Sequence, residues 1–287
     1  MIDVTVVILT KNEEINLTDC INSTNGFAKR VVVVDSFSTD KTEEIARKLG
    51  ADFYQNKFID YATQFNWALD NTRINTKWTF RLDADERLTP ELCLELTSLV
   101  EKHNDDDVNG VTMEAWLYFM GKKIKHGCHN KRKLMLFKTG IGRIEERKMD
   151  EHTILSKGKS IYARQRFIHY DFKDITHWIN KMNWYATREM QDYYEFKSGK
   201  SQIINEQDTM IKTTRKKKYG FYYRLPMFFR SWLLFVYYYI FKLGFLDGKE
   251  GFIYHWMYHR WYRALVDAKI LEQKLTNKSF EETGDLK

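Results

Sequence analysis

Val4-Thr5-Val6-Val7-Ile8-Leu9-Thr10 opens the chain, and Val31-Val32-Val33-Val34-Asp35 repeats its character one helix-length later. Runs this short and this rich in β-branched residues read as strands buried on both faces, the mark of a parallel sheet covered by helices. Between them, residues 13–23 place Ile15, Leu17, Cys20 and Ile21 at helical spacing, which completes a βαβ unit. Thr39-Asp40-Lys41-Thr42 then predicts a helix through Leu49, stopped by Gly50, with Asp40 or Thr39 as N-cap and Glu43 placed for a capping box. Ala51-Asp52-Phe53-Tyr54 reads as a third strand and residues 61–69 as a helix. Trp78-Thr79-Phe80-Arg81-Leu82 is a strand running into Asp83-Ala84-Asp85, and Thr89-Pro90 starts a helix to about Lys102, with Thr as cap and Pro at the first position. This alternation predicts an α/β fold built on a doubly wound, mostly parallel sheet flanked by helices.

Farther along, shorter β-like runs (111–118, 133–137, 160–168) read as a mixed extension of the sheet, and from Ile175 the chain is mostly helical and rich in aromatics. The expected division is an α/β region at 1–170 and a helical, aromatic-rich region at 171–287. With 43% hydrophobic residues in 287 the chain can bury a large core, and 2 prolines with 14 glycines exclude collagen-like architecture. Cys20, Cys93 and Cys128 are odd in number and far apart, which supports neither a disulfide framework nor a zinc site and points to a reducing cytoplasm. Met1-Ile2-Asp3 leads straight into a strand, so no signal peptide is evident.

Charge is asymmetric. Residues 1–100 hold 11 Lys/Arg against 16 Asp/Glu, and the remainder 35 against 23, so the two ends of the chain suit different partners. Of 44 aromatic residues, 19 lie within 219–262, where the uncharged stretch 231–241 is too short to cross a bilayer, which takes about 20 residues. Trp and Tyr interleaved with Lys and Arg, preceded by the basic run Arg215-Lys216-Lys217-Lys218, suit a helix pair lying among lipid headgroups. The competing reading is a core helix packed on the sheet beside a solvated basic loop.

In doubly wound sheets ligands bind beyond the carboxyl ends of the strands, where Thr10, Asp35 and Asp83 fall. Asp83 and Asp85, one residue apart at a turn, can together hold a hard divalent cation, or else cap the turn. Thr10-Lys11-Asn12-Glu13-Glu14 and Asp35-Ser36-Phe37-Ser38-Thr39-Asp40 offer a carboxylate and an amide to a nucleoside, or satisfy turn amides. Neither G-x-G-x-x-G nor G-x-x-x-x-G-K-[ST] occurs, so no Rossmann dinucleotide site or P-loop is supported.

The runs V-V-I-L-T-K-N-E-E, V-V-V-V-D-S-F-S-T-D-K-T-E-E-I-A, Q-F-N-W-A-L and W-T-F-R-L-D-A-D-E resemble the family 2 inverting glycosyltransferases of GT-A fold, within them the lipooligosaccharide-core β-1,4-glucosyltransferase type. Fainter likeness continues through Met149-Asp150-Glu151-His152, Ile168-His169-Tyr170 and Gly244-Phe245-Leu246-Asp247-Gly248. The resemblance implies transfer from a nucleotide-sugar donor, usually UDP-linked, with Mg²⁺ or Mn²⁺ and inversion at the anomeric carbon. It implies that Thr10, Asn12, Glu13, Asp35, Gln64 and Asp83 bind the nucleotide, and that Asp85, Asp83 and His169 face the metal. Glu151 is then the general base, with Asp150 as the neighbour that could take its place. The family commonly has Gly where Phe37 stands, and His-Glu where this chain has Asp150-Glu151. The acceptor implied is a lipid-linked saccharide met at the cytoplasmic face of the bacterial inner membrane. Two competing classes are weaker. A sugar-nucleotide nucleotidyltransferase would show a Gly- and Arg-rich first turn, and a nucleic-acid-binding module leaves the acidic strand ends unexplained.

Overall fold

The computed structural model describes residues 1–128, 132–145, 152–170, 173–198 and 218–276, which divide into two units: Met1–Tyr118 with His129–Asp171, and Phe119–Cys128 with Phe172–Lys287. The first unit alternates β1 (Ile2–Thr10), α1 (Leu17–Asn22), β2 (Ala28–Asp35), α2 (Thr42–Lys48), β3 (Asp52–Gln55), α3 (Tyr61–Asn71), β4 (Trp78–Asp83), β5 (Glu86–Arg87), α4 (Pro90–Lys102) and β6 (Val108–Phe119). After β7 (Lys122–Ile124), which belongs to the second unit, come β8 (Arg132–Lys138), β9 (Gly142–Ile144), β10 (Thr153–Leu155) and β11 (Lys159–Tyr170).

The sheet runs β3-β2-β1-β4-β8-β6-β11-β5. Its first half is parallel, β1 lying between β2 and β4. β8 then runs antiparallel to both β4 and β6, and β11 is parallel to β6, so the expected mixed extension follows the doubly wound half. Strand order reverses at β1, the place where such sheets open a crevice. Alternate residues of β1 feed two cores. Val4, Val6 and Ile8 pack with Leu17 and Cys20 of α1 and Leu92 and Leu96 of α4, while Val7 packs with Phe65 and Ala68 of α3 and with Phe137. Both faces are covered, which is why β1 reads as a near-continuous apolar run.

Helix starts follow cap chemistry. Thr89 accepts from Leu92 N at 3.2 Å with Pro90 in the first turn, as expected, and Asp60 accepts from Thr63 N at 2.7 Å to start α3. Two starts differ from the sequence reading. α1 begins at Leu17 rather than near residue 13, and α2 begins at Thr42 with Lys41 at the cap position. The cause is shared: Glu14 N donates to Asp40 Oδ2 at 3.0 Å and Glu13 N to Thr42 Oγ1 at 2.9 Å, so side chains of the second loop hold residues 13 and 14 outside the helix. Asp40 also accepts from Thr42 N at 3.0 Å and so still serves the start of α2.

In the second unit, α5 (Ile175–Lys197) is capped by Asp174, which accepts from His177 N at 2.8 Å, and buries Trp178, Met182, Ala186, Glu189, Met190 and Tyr193 along one face. α6 (Phe229–Val236) continues as a π-helical turn over Tyr237–Phe241. A 3-10 turn (Gly244–Asp247), α7 (Gly248–His255), a second π segment (Trp256–Tyr262) and α8 (Arg263–Thr276) follow. Buried charges are matched. Glu189 accepts from Tyr262 Oη at 2.6 Å and Arg263 Nη1 at 2.7 Å, and Arg230 Nε donates to Asp267 at 2.8 Å.

Part of that unit's surface is apolar. Phe229, Trp232, Leu233, Val236, Tyr237 and Ile240 recur at spacings of three and four and are all exposed, which is a helical stripe with its apolar side in solvent. Phe241, Leu243, Phe245 and Leu246 extend it through the following turn, Phe241 at 72% exposure. Among the described residues no helix is long and apolar enough to cross a membrane. Of the basic run, Arg215, Lys216 and Lys217 lie outside the described residues. Lys218 turns inward, its ammonium 3.1 Å from Glu189 Oε1, because the buried carboxylate needs cations.

Candidate active site

The register fixes the site. Thr10 at the end of β1 stands opposite Asp35 on one side, and Leu9 opposite Asp83 on the other, so the two acids flank β1 at about 10 Å, twice the usual strand spacing. Asp35 is fully buried. Thr10 Oγ1 donates to its Oδ1 at 2.9 Å, Ser38 Oγ to the same oxygen at 2.5 Å, and Ser38 N to Oδ2 at 2.7 Å. Three donors satisfy an otherwise costly buried carboxylate and shape the loop after β2.

Asn12 and Glu13 lace that loop to the one after β1. Asn12 Oδ1 accepts from Thr39 N at 2.9 Å and Asn12 N donates to Ser38 Oγ at 2.7 Å, while Glu13 Oε2 accepts from Asn16 Nδ2 at 2.9 Å. Lys11 Nζ closes the same junction on the Ser36 and Phe37 carbonyls, each at 2.9 Å. Phe37 sits at φ 59°, a left-handed conformation that glycine adopts without strain, and its ring is half exposed. The common glycine of related loops therefore has a conformational reason, and this chain keeps the turn without it. Gln64, buried on α3, donates to Ser36 Oγ at 3.2 Å and Asn56 O at 3.1 Å. Thr10, Asn12, Asp35 and Gln64 thus converge on one pair of interlocked loops, with Glu13 beside them.

Across β1, Asp83 and Asp85 have different surroundings. Asp83 Oδ1 accepts from Tyr61 Oη at 2.5 Å, and Tyr61 Oη accepts in turn from Arg81 Nε at 2.7 Å, with the guanidinium also 4.4 Å over the Tyr61 ring. Asp83 Oδ2 accepts from Lys133 Nζ at 2.7 Å, and the same ammonium donates to Glu86 Oε1 at 2.5 Å. Glu86 Oε2 takes the remaining local donor, Asp83 N, at 2.9 Å. Burial works to raise the Asp83 carboxyl pKa, but the Lys133 ammonium and Arg81 guanidinium outweigh it and hold Asp83 well below the usual carboxylate range. For Glu86 burial wins, and its pKa is raised.

Asp85 faces His169 instead, with Oδ2 3.5 Å from Nε2. β11 pairs His169 with Glu86, and Tyr170 N donates to Asp85 O at 2.8 Å, so the strand end is pinned to the acidic turn. His169 Nδ1 is buried and has no hydrogen-bond partner among the described residues. Among those residues no group of three or more His, Cys, Asp and Glu is arranged to hold a metal ion. One carboxylate and one imidazole side by side are donors that a divalent cation could take, and the imidazole would favour Mn²⁺ over Mg²⁺.

Glu151 and Asp150 lie outside the described residues. The strands on either side of them are firmly held. β9 and β10 pair antiparallel, Glu145 N donates to His152 O at 2.9 Å, and His152 Nδ1 is 3.0 Å from Glu145 Oε1. Asn66 of α3 bonds both the N–H and the carbonyl of Ile144, at 3.0 and 2.9 Å. Sequence reasoning missed Tyr61, Arg81, Glu86 and Lys133. Arg81 alone left a signal, as a charged residue inside an apolar strand; Lys133 meets Asp83 only through the long-range pairing of β8 with β4.

Comparison with known proteins places these features in context. The profile described as Glycosyl transferase family 2 matches residues 5–171. A glycosyltransferase of Rickettsia typhi, itself uncharacterized, is 27% identical over 198 residues, covering 66% of this chain and 67% of that protein. A lipopolysaccharide core biosynthesis glycosyltransferase of Rhizobium meliloti is 29% identical over 200 residues, covering 67% and 72%. Among solved structures, Mycobacterium tuberculosis glucosyl-3-phosphoglycerate synthase in complex with Mn²⁺ and UDP aligns at 21% identity over 40% of this chain and 44% of that one. Its TM-score of 0.32 is too low to carry the comparison further.

Proposed function

The chain belongs to glycosyl transferase family 2, and on that premise we propose that it moves a sugar from a UDP-linked donor to a lipid-linked saccharide with inversion, in lipooligosaccharide, O-antigen or capsule biosynthesis. The observation that carries this reading is Asp85 beside His169 at the strand edge, across β1 from the interlocked loops of Thr10 and Asp35. Those loops form the wall for the nucleoside, and the acidic turn meets the diphosphate. A divalent ion bound by Asp85 and His169 would neutralise charge on the departing diphosphate. The acceptor oxygen attacks the anomeric carbon from the face opposite the diphosphate. As the bond to the β-phosphate oxygen breaks, the hydroxyl proton passes to a carboxylate, for which Glu151 is the candidate and Asp150 the alternative.

The exposed apolar stripe from Phe229 to Ile240 and the turn at Phe241 and Leu246 support a surface resting on the cytoplasmic face of the inner membrane, where a lipid-linked acceptor is reached. Likeness to a lipopolysaccharide core enzyme supports the acceptor class. The test is a panel of UDP-, GDP- and dTDP-sugars scored for Mn²⁺-dependent thermal stabilisation, since a ligand at a hundred times its Kd stabilises by about 2.7 kcal/mol. Stabilisation by a UDP-sugar supports the reading. No stabilisation by any of the panel with Mn²⁺ rejects it.

A further inference from the structure

β6 lies between β8 and β11, and its two faces differ. Val111, Met113 and Ala115 are buried in the core that includes Leu92 and Leu96 of α4, whereas Glu114, Trp116 and Tyr118 alternate with them and stay half-buried on the other face. The register sets Arg132 of β8 and Arg166 of β11 on either side of Glu114. Arg132 Nε donates to Glu114 Oε1 at 2.6 Å, and Arg166 Nη2 lies 2.5 Å from Glu114 Oε2. With Tyr162 and Arg164 these residues line a cavity of about 280 Å³, close to the smaller small-molecule sites at roughly 300 Å³. Among the described residues of that lining, three guanidiniums meet one carboxylate.

Aromatic rings continue from the cavity along the same face. Arg166 lies 4.2 Å over the Trp116 ring and Arg132 5.5 Å over the Tyr162 ring, while Tyr118 and Tyr170, paired across β6 and β11, have ring centres 4.7 Å apart. Tyr170 N donates to Asp85 O at 2.8 Å, so this line of rings ends at the acidic turn. Planar guanidiniums grip carboxylate or phosphate oxygens through paired N–H bonds, and flat rings offer a surface to the C–H face of a sugar. We propose that this face of β6 and β11 holds the acceptor saccharide, with a carboxylate or phosphate substituent of that saccharide seated among Arg132, Arg164 and Arg166. The inference rests on the glycosyl-transfer reading above and adds to it the class of acceptor, an anionic sugar. Glu114 holds two of the guanidiniums in place and competes with the incoming anion for them.

Saturation-transfer NMR of the full chain, titrated with methyl glucuronide, glucose 6-phosphate, neutral methyl glucoside and inorganic phosphate, tests this. Wild type should bind one of the two anionic sugars at least about tenfold more tightly than methyl glucoside, the scale of a hydrogen bond to a charged group, and added salt should weaken that binding. The tighter of the two identifies the substituent, and inorganic phosphate, which gains nothing from the rings, should bind more weakly than that sugar. Arg166→Gln should weaken the anionic sugar by about tenfold or more. Because Arg166→Gln strips a cation from Glu114 and can disturb the strands, Arg164→Gln at an exposed position provides a second arm, with an expected loss of about two- to fivefold. Glu114→Gln removes the competing carboxylate and should tighten binding by about threefold, a gain that a purely structural ion pair would not give. Wild type without preference for either anionic sugar over methyl glucoside, or affinity unmoved by folded Arg164→Gln and Arg166→Gln, overturns the site. Inorganic phosphate bound as tightly as the sugars overturns the saccharide assignment. Failure of every sugar nucleotide to stabilise the protein with Mn²⁺ overturns the glycosyl-transfer reading instead, whatever the anionic sugars do.

Discussion

Tyr61→Phe removes one oxygen and leaves the ring, yet that oxygen joins two charged groups. It donates to Asp83 at 2.5 Å and accepts from Arg81 Nε at 2.7 Å, while the Arg81 guanidinium stacks on the ring the variant keeps. Two hydrogen bonds to charged partners are lost, each worth about 1.5–3 kcal/mol. Asp83 keeps Lys133 and is partly open to water, so its share falls at the low end; Arg81 is buried, and its Nε is left without an acceptor. The expected loss is therefore about 3–4.5 kcal/mol, the larger share from the Arg81 side. Urea titration followed by far-ultraviolet circular dichroism reads it as a lower midpoint at unchanged slope. A loss under about 0.5 kcal/mol would refute the claim that this hydroxyl organises the acidic turn.

Glu151→Gln should keep UDP-sugar affinity while lowering turnover by about a hundredfold, the scale of a lost general base; a near-normal Glu151→Gln beside an inactive Asp150→Asn exchanges the two roles. Burial works to raise the Glu189 pKa, but Arg263 and Lys218 hold it below its ordinary value, so its contribution to stability is complete above about pH 4.5 and declines as pH falls toward the lowered pKa. Glu189→Gln should cost about 3–5 kcal/mol at neutral pH and flatten the acid limb of the stability profile, which a pH series of melting curves checks. Replacing Phe241, Leu243, Phe245 and Leu246 by serine should weaken binding to anionic vesicles by at least about a hundredfold, which the loss of three to four buried CH₂ groups at roughly 0.8 kcal/mol each already accounts for. Unaltered binding by a folded variant would remove this turn from the membrane contact.

Much of the first unit was legible because its strands are buried on both faces and so announce themselves as β-branched runs ending in Thr10, Asp35 and Asp83. The Thr89-Pro90 start of α4 was legible for a local reason, a cap with a proline behind it. The start of α1 was not, because residues 13 and 14 are held by Thr42 and Asp40, 29 and 26 residues away, and no local pattern records that. The same holds within the site. Asp85 and His169 stood out by residue type at strand ends, whereas Lys133 reads as an ordinary lysine at the start of a strand. Only the register of β8 against β4 turns it into the partner of Asp83. Local chemistry marked the acidic strand edge, and long-range pairing brought Lys133 to Asp83 and Glu86.

Sugar transfer by wild type and Asp85→Ala, measured in Mn²⁺ by UDP release and by the anomeric proton signal of the product, tests the central claim most directly. Asp85 lies at a strand-end turn beside His169, and cation coordination is the role proposed for its carboxylate. Wild type should give product of inverted anomeric configuration. Asp85→Ala should lose turnover by about a hundredfold or more, the scale of a lost charge-stabilising contact, with its melting temperature little changed. Turnover by Asp85→Ala within a few-fold of wild type, or a product of retained configuration, would contradict the account.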